Sequence, residues 1–306
     1  HGRHRDGDDQ RLFRSKPRHD TRRLPHTGSC LRSTLLHNLP LLTALIINPY
    51  RFSTGIPVIT DPEEVTGVVG WFDASDNTKV LNGSFSAATD NEEVRVLDDK
   101  STLGTIGYFE SAPLANRPLR RAAQVNGLDV IEFDGTNDFM VAAAGSNFDT
   151  YSDQTEPMTV FIVSQPTTSA AIADGCVLDL YDSTTTGSRG LVTTEIAYRT
   201  NGRTWVSDGT AATTCSTSAP SVITLSQSGA GNVEDVISMW LDGNSVARDS
   251  GGDGALVATS AAHRLGSLGT TYYFDGYVCE IVMYDNELSD TDRQSVENYL
   301  IDKWGI

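Results

Sequence analysis

From about residue 65 to residue 306, Gly, Asp, Asn, Ser and Thr cut the chain into short runs of β-forming residues, and this rhythm constrains the fold more than any other feature. The runs include Val68-Val69-Gly70-Trp71-Phe72, Val94-Arg95-Val96-Leu97, Leu128 to Phe133, Met158 to Val163, Val177 to Tyr181, Val236 to Leu241 and Tyr277 to Tyr284. Strands of this length, spaced by turn signals, exclude repeated βαβ units and specify an antiparallel sandwich or jelly roll. Asp134-Gly135, Asp208-Gly209, Asp242-Gly243 and Asp275-Gly276 accept the positive φ that tight turns demand, and are read as turns. Trp71, Phe133, Phe161, Trp240 and Tyr284 are the expected aromatic core. Strict alternation through the last strand puts Cys279 on one face with Tyr277, Ile281 and Met283.

One helix is expected, at the C-terminus. Ser289 can cap it, Asp290 and Asp292 suit its positive end, and Val296, Leu300 and Trp304 recur at helical spacing before Gly305 stops it. That stripe is expected to pack on the sandwich.

Charge divides the chain. Ten of the 23 Lys and Arg, but only four of the 40 acids, fall in the first 51 residues, together with five of the six His. The remainder carries 13 basic and 36 acidic groups, a formal charge of −23. So acidic a body repels nucleic acid and anionic membranes. No run reaches the ~20 apolar residues of a membrane helix, and Leu35 to Ile47, broken by His37, Asn38 and Pro40, lacks the cleavage site of a secretory signal. Neither nucleic-acid binding nor membrane insertion is expected.

The domain reading has three parts: an irregular basic head at 1–42, a linker or attachment segment at 43–64, and one β domain at 65–306. Two accounts of the head stay open. It is either a basic arm that docks on an acidic surface of an assembly, or upstream sequence ahead of a natural start near Leu41 to Thr43. Cys30, Cys176, Cys215 and Cys279 form no CxxC pair, which argues against zinc. Cys279 is expected as a buried free thiol, and a Cys176–Cys215 disulfide is geometrically allowed.

In order along the chain, several phrases resemble the laminin-G-like domains of the concanavalin A-like lectin/glucanase superfamily. They are Gly70-Trp71-Phe72-Asp73-Ala74-Ser75-Asp76, Val96-Leu97-Asp98-Asp99-Lys100-Ser101, Asn116-Arg117-Pro118, and Val130 to Phe139 with its Phe-Asp-Gly-x-x-Asp core. The ending continues the likeness with Phe274-Asp275-Gly276-Tyr277, Glu280 to Tyr284, Leu288-Ser289-Asp290 and Lys303-Trp304-Gly305-Ile306. The resemblance implies an all-β, concanavalin A-like jelly-roll sandwich with a short C-terminal helix. It is similar to domains of tailed-phage virion proteins and bacterial surface proteins. It also implies calcium as the one cofactor with a case, with Asp134, Asn137 and Asp138 as the loop donors.

Retaining glycosidases of this superfamily need carboxylates on alternate residues of one strand, two of them about 5 Å apart. Glu132-Phe133-Asp134 matches in part, but Gly135, Thr136 and Asn137 follow where a second glutamate belongs. No phosphate loop or Gly-x-Ser-x-Gly elbow is present. The chain is therefore expected not to be an enzyme. The function read from sequence is a virion structural or adhesion protein of tail or capsid surface that binds surface glycans. Trp205, Arg203 and Tyr198 are the expected ligand contacts, since aromatic rings stack on sugar faces. Expected partners are other virion proteins, reached through the N-terminal segment, surface glycans, and further copies of the chain within an assembly. A ligand-free capsid decoration protein and an extracellular or cell-surface carbohydrate-binding module are the alternatives.

Overall fold

The structure is a computed structural model that describes residues 55–104, 106–111, 113–142, 156–167, 175–179, 191–193, 196–200, 203–204, 215–231, 233–246, 263–268 and 272–306. All of them belong to one of the chain's two compact units, Ser53–Ile306. The basic head lies outside the described residues, as does the Asp208-Gly209 turn.

Two antiparallel sheets face each other across a hydrophobic core. The first runs β15 (Asn244–Ser245), β14 (Ile237–Leu241), β13 (Ser221–Gln227), β8 (Met158–Pro166), β17 (Asp275–Tyr284), β6 (Leu128–Asp134), β5 (Leu119–Val125). Strand β1 (Val68–Asp73) pairs with the second half of β17, along the edge whose first half holds β6. The second sheet runs β12 (Arg203–Thr204), β11 (Ile196–Thr200), β10 (Leu191–Thr193), β9 (Cys176–Asp179), β16 (Arg264–Leu265), β7 (Met140–Ala142), β4 (Tyr108–Glu110), β3 (Val96–Asp98), β2 (Val80–Leu81). The all-β sandwich expected from the strand rhythm is the fold formed.

Alternation decides which side chains meet. In β8, Met158, Val160 and Ile162 point between the sheets, whereas Phe161 and Val163 point to the outer face of the first sheet. There they join Trp71, Val282 and Tyr284 to make a second apolar layer. Helix α1 (Asp290–Trp304) covers that layer with Val296, Leu300 and Trp304, all buried. Ser289 accepts the Asp292 amide N–H at 3.2 Å, and Gly305 closes the helix at φ 73°, as the sequence indicates. Ile59 and Pro62, from the segment read as linker, are buried as well, and Tyr284 Oη donates to the Pro62 carbonyl at 2.9 Å.

Three local readings change. A bulge between Val278 and Glu280 breaks the alternation of β17, so Cys279 faces the helix layer while Ile281 and Met283 face the core. Asp275-Gly276 is no turn but the start of β17; Gly276 sits there because a Cβ would strike the Gln165 carbonyl and the Phe274 ring. Trp240 is half-buried beneath the Arg293 guanidinium, 4.2 Å from its ring centroid, rather than in the core. Asp242-Gly243 does form a tight turn, with both φ positive, between β14 and β15. Cys176, Cys215 and Cys279 are buried free thiols, so the allowed Cys176–Cys215 bond is not made. Among the described residues, no helix is long and apolar enough to cross a membrane.

Candidate functional site

The sandwich has two outward faces, and they are finished differently. On the first sheet, the face under α1 is closed by a buried polar cluster. Glu280 receives the Trp71 and Trp304 indole N–H groups, each at 2.6 Å, and lies 2.7 Å from the Lys303 ammonium. Lys303 also pairs with Asp73 at 2.7 Å, and Lys100 reaches Asp73 at 2.9 Å while lying 4.1 Å over the Trp71 ring. Asp99 accepts the Trp71 amide at 2.9 Å. Burial pushes the Glu280 carboxyl up, and the neighbouring Asp73 charge adds to it. Burial acts on Asp73 in the same sense, but Lys303, Ser75 and Lys100 outweigh it and hold that carboxyl down. The phrases around Trp71-Asp73, Asp99-Lys100, Glu280 and Lys303-Trp304 thus converge here, and their work is to fasten the helix to the sheet.

The outer face of the second sheet differs. Cross-strand register sets Leu81, Val96, Glu110, Val141, Arg264 and Asp179 in one row on that face, because the next positions, Leu97, Phe109 and Leu265, enter the core. Val96 and Asp179 in that row are buried, whereas Leu81, Glu110, Val141 and Arg264 are partly exposed. Two aromatic groups border this row, each under an arginine. At the β3 end, the Arg95 guanidinium stacks 4.3 Å from the Phe85 centroid and is held by Glu110 at 2.8 Å. At the other end, Arg264 stacks 4.6 Å over Phe139, whose ring lies 6.5 Å from that of Tyr273. Tyr272 follows on the β9 side, where its carbonyl accepts the Cys176 amide at 3.1 Å.

Phe85 and Tyr272 are exposed, at 58% and 42%, and both occupy left-handed backbone, with φ of 58° and 53°. Bulky residues avoid this region because Cβ crowds the carbonyl, at a cost of about 1–2 kcal/mol. The loop before β3 imposes it on Phe85: Asn82 accepts the Phe85 amide through its carbonyl at 3.0 Å, and through Oδ1 those of Ser84 at 2.9 Å and Ser86 at 3.1 Å. Exposed rings held in strained, hydrogen-bonded loops are a mark of binding sites.

The residues named from sequence fall as follows. Tyr198 lies on β11 and Arg203 on β12, at the far edge of the second sheet; Trp205 lies outside the described residues. Asp134 Oδ1 accepts the amides of Thr136, Asn137 and Asp138 at 2.8, 3.2 and 3.4 Å, and Asp138 Oδ2 returns a bond to the Asp134 amide at 3.1 Å. The Asn137 amide donates to the Ala115 carbonyl. A hard cation needs six to eight converging oxygens; of these residues, Asp134 Oδ1 and Asp138 Oδ2 already accept backbone amides of the same loop. Among the described residues, no group of three or more His, Cys, Asp or Glu is arranged to hold a metal. Burial, with the Asp134 and Glu132 charges added, pushes the Asp138 carboxyl up to about 7. Glu132 is engaged by Arg121. The sequence reading missed Phe85 and Tyr272; the Asn82-Gly83 turn signal ahead of Phe85 is the one pointer it held.

No protein-family model and no curated protein matches the chain. Solved structures do. Two are of a GH54 α-L-arabinofuranosidase, one soaked with a cyclic sulfate inhibitor and one a mutant soaked with 4-nitrophenyl α-L-arabinofuranoside. They are 12% and 13% identical, cover 78% of this chain and 63% of theirs, and have TM-scores of 0.51 and 0.52. A Trypanosoma rangeli sialidase, 14% identical, covers 80% of this chain and 35% of its own, with a TM-score of 0.45. The chain therefore spans less than two thirds of these proteins' length. The likeness to the arabinofuranosidase structures is one of fold, an all-β sandwich. The expectation that the chain is not an enzyme is corrected by this finding: the arabinofuranosidase that shares the sandwich is an enzyme, and a missing glutamate in one strand tests only one arrangement of carboxylates.

Proposed function

We propose that the domain binds glycans on the outer face of the second sheet. The observation that carries this reading is the pair of arginine-backed aromatic groups, Phe85 with Arg95 and Phe139 with Arg264, flanking a mixed row on that face in which Glu110 and Arg264 stand on either side of Val141. Sugar rings present apolar C–H faces edged by hydroxyls, which suits aromatic rings beside charged hydrogen-bonding groups. The sandwich shared with an arabinofuranosidase supports the same ligand class. The test is a glycan array probed with the full chain, followed by calorimetric titration of the best ligands and chromatography of those mixtures for shortened products. Binding that survives 0.5 M salt and weakens in Phe139→Ala is expected; a folded chain that binds no glycan sinks the reading.

Part of the same proposal is the setting: a laminin-G-like domain on a virion surface, joined to other virion proteins through the segment before residue 65 and present in several copies. The ordered sequence phrases support it. Detection of the chain in purified particles, and its loss when the segment is deleted, is the check.

A further inference from the structure

We infer that the second-sheet face takes an extended oligosaccharide held at both ends, not a single sugar. This rests on the glycan-binding reading and deepens it. The first platform is Phe85, beside β3; the second is the Phe139–Tyr273 pair at β7, with exposed Tyr272 next in sequence and bonded to β9 through its carbonyl. Sheet order separates β3 from β7 by two strand spacings and from β9 by four, which is about 10 Å and about 19 Å. One pyranose ring is too small to touch both.

The floor between the platforms bears Glu110, Val141 and Arg264, so the face is not a continuous apolar patch of the kind a protein helix covers. Rings at the ends and charged groups between them match a ligand whose apolar faces recur along a hydroxylated chain. The platforms are also pre-ordered. Arg95 has its guanidinium committed to Glu110, with a longer contact of 3.4 Å to the Gly83 carbonyl, so it fixes the Phe85 ring rather than reaching for ligand. Phe85 and Tyr272 are the two bulky aromatics in left-handed backbone among the described residues, and one stands at each platform. Strain at both ends, with rings held before ligand arrives, lowers the ordering cost of binding.

The experiment is an array carrying linear chains of the common hexoses and pentoses, each from monosaccharide to hexasaccharide, probed with the full chain and with Phe85→Ala, Tyr272→Ala and Phe85→Tyr. Affinity should rise with length and level off once both platforms are spanned. Each alanine variant should weaken the longest ligands by about two- to tenfold, the loss of one aromatic contact, and leave the shortest unchanged. Phe85→Tyr should restore binding. Affinity independent of length, or unaffected by either alanine, overturns the two-platform inference while leaving glycan binding intact. No binding at any length removes the reading beneath it. Circular dichroism of each variant separates a lost contact from a lost fold.

Discussion

The face of the first sheet under α1 and the outer face of the second sheet arise from the same strand alternation, yet one is sealed and the other is furnished. Under α1, Phe161, Val163, Val282 and Tyr284 are covered, and even the charged groups, Glu280 and Asp73, are tied to Trp304 and Lys303 of the helix. On the second sheet, Phe85 and Tyr272 stand in solvent on loops that hold them at a conformational cost. Residues of the sealed face contribute to stability through packing. Residues of the furnished face lower stability locally and present a surface, which is the division expected between core and binding site.

The contrast breaks most readily through Trp304. Its side chain is buried and its indole N–H satisfies Glu280, so Trp304→Ala should destabilise the domain by about 3–5 kcal/mol. Urea unfolding monitored by far-ultraviolet dichroism reads this, while glycan affinity per folded molecule should stay at the parent value. A loss below about 1 kcal/mol means the helix is an appendage and the two faces are alike.

Phe85→Gly is the mirror experiment. Glycine removes the left-handed penalty of about 1–2 kcal/mol, but gives up a cation–π contact of about 0.5–1 kcal/mol and adds unfolded-state entropy of similar size. The net change in stability should fall within about 1 kcal/mol of zero, with glycan binding reduced. A loss like that of Trp304→Ala makes Phe85 a core residue and erases the contrast.

The smallest effect sharpens the comparison by pH. Asp138 precedes β7 in the loop beside the furnished face, and its folded carboxyl titrates near 7, above the ordinary 3.8. The folded chain therefore holds this proton more tightly than the unfolded chain. Its contribution to stability is complete below the ordinary value and is lost as pH rises through about 7. Thermal unfolding should show a midpoint that declines across that window, and Asp138→Asn, which keeps an acceptor for the Asp134 amide, should flatten the decline. An unchanged slope in the variant assigns the titration elsewhere.

The sealed face was the more legible of the two. The Ser289 cap, the Gly305 stop and the spacing of Val296, Leu300 and Trp304 each act within a few residues of chain, so the sequence displays them directly. What escaped was set by partners distant in sequence. Cys279 parts from Ile281 and Met283 because β17 carries a bulge in its pairing with β8, and Gly276 reads as a turn residue until the Gln165 carbonyl is seen beside it. The furnished face was harder still. Phe85 and Tyr272 stand on loops with no period, so nothing local sets them apart from other aromatic residues such as Trp205. Cross-strand register, which gathers Glu110, Val141 and Arg264 into one row, leaves no local trace.

The place of β17 in the first sheet also bears on how the chain is made. It sits between β8 on one side and β1 and β6 on the other, so the last described strand of the sandwich in chain order is the one the earlier strands require. Trp71 and Glu280, which bond across this seam, are 209 residues apart. At bacterial-to-eukaryotic elongation rates of about 5–20 residues per second, β1 waits roughly 10–40 s for its partner. Through that interval its edge is an open template for other nascent chains, a hazard that like-charge repulsion between acidic chains opposes.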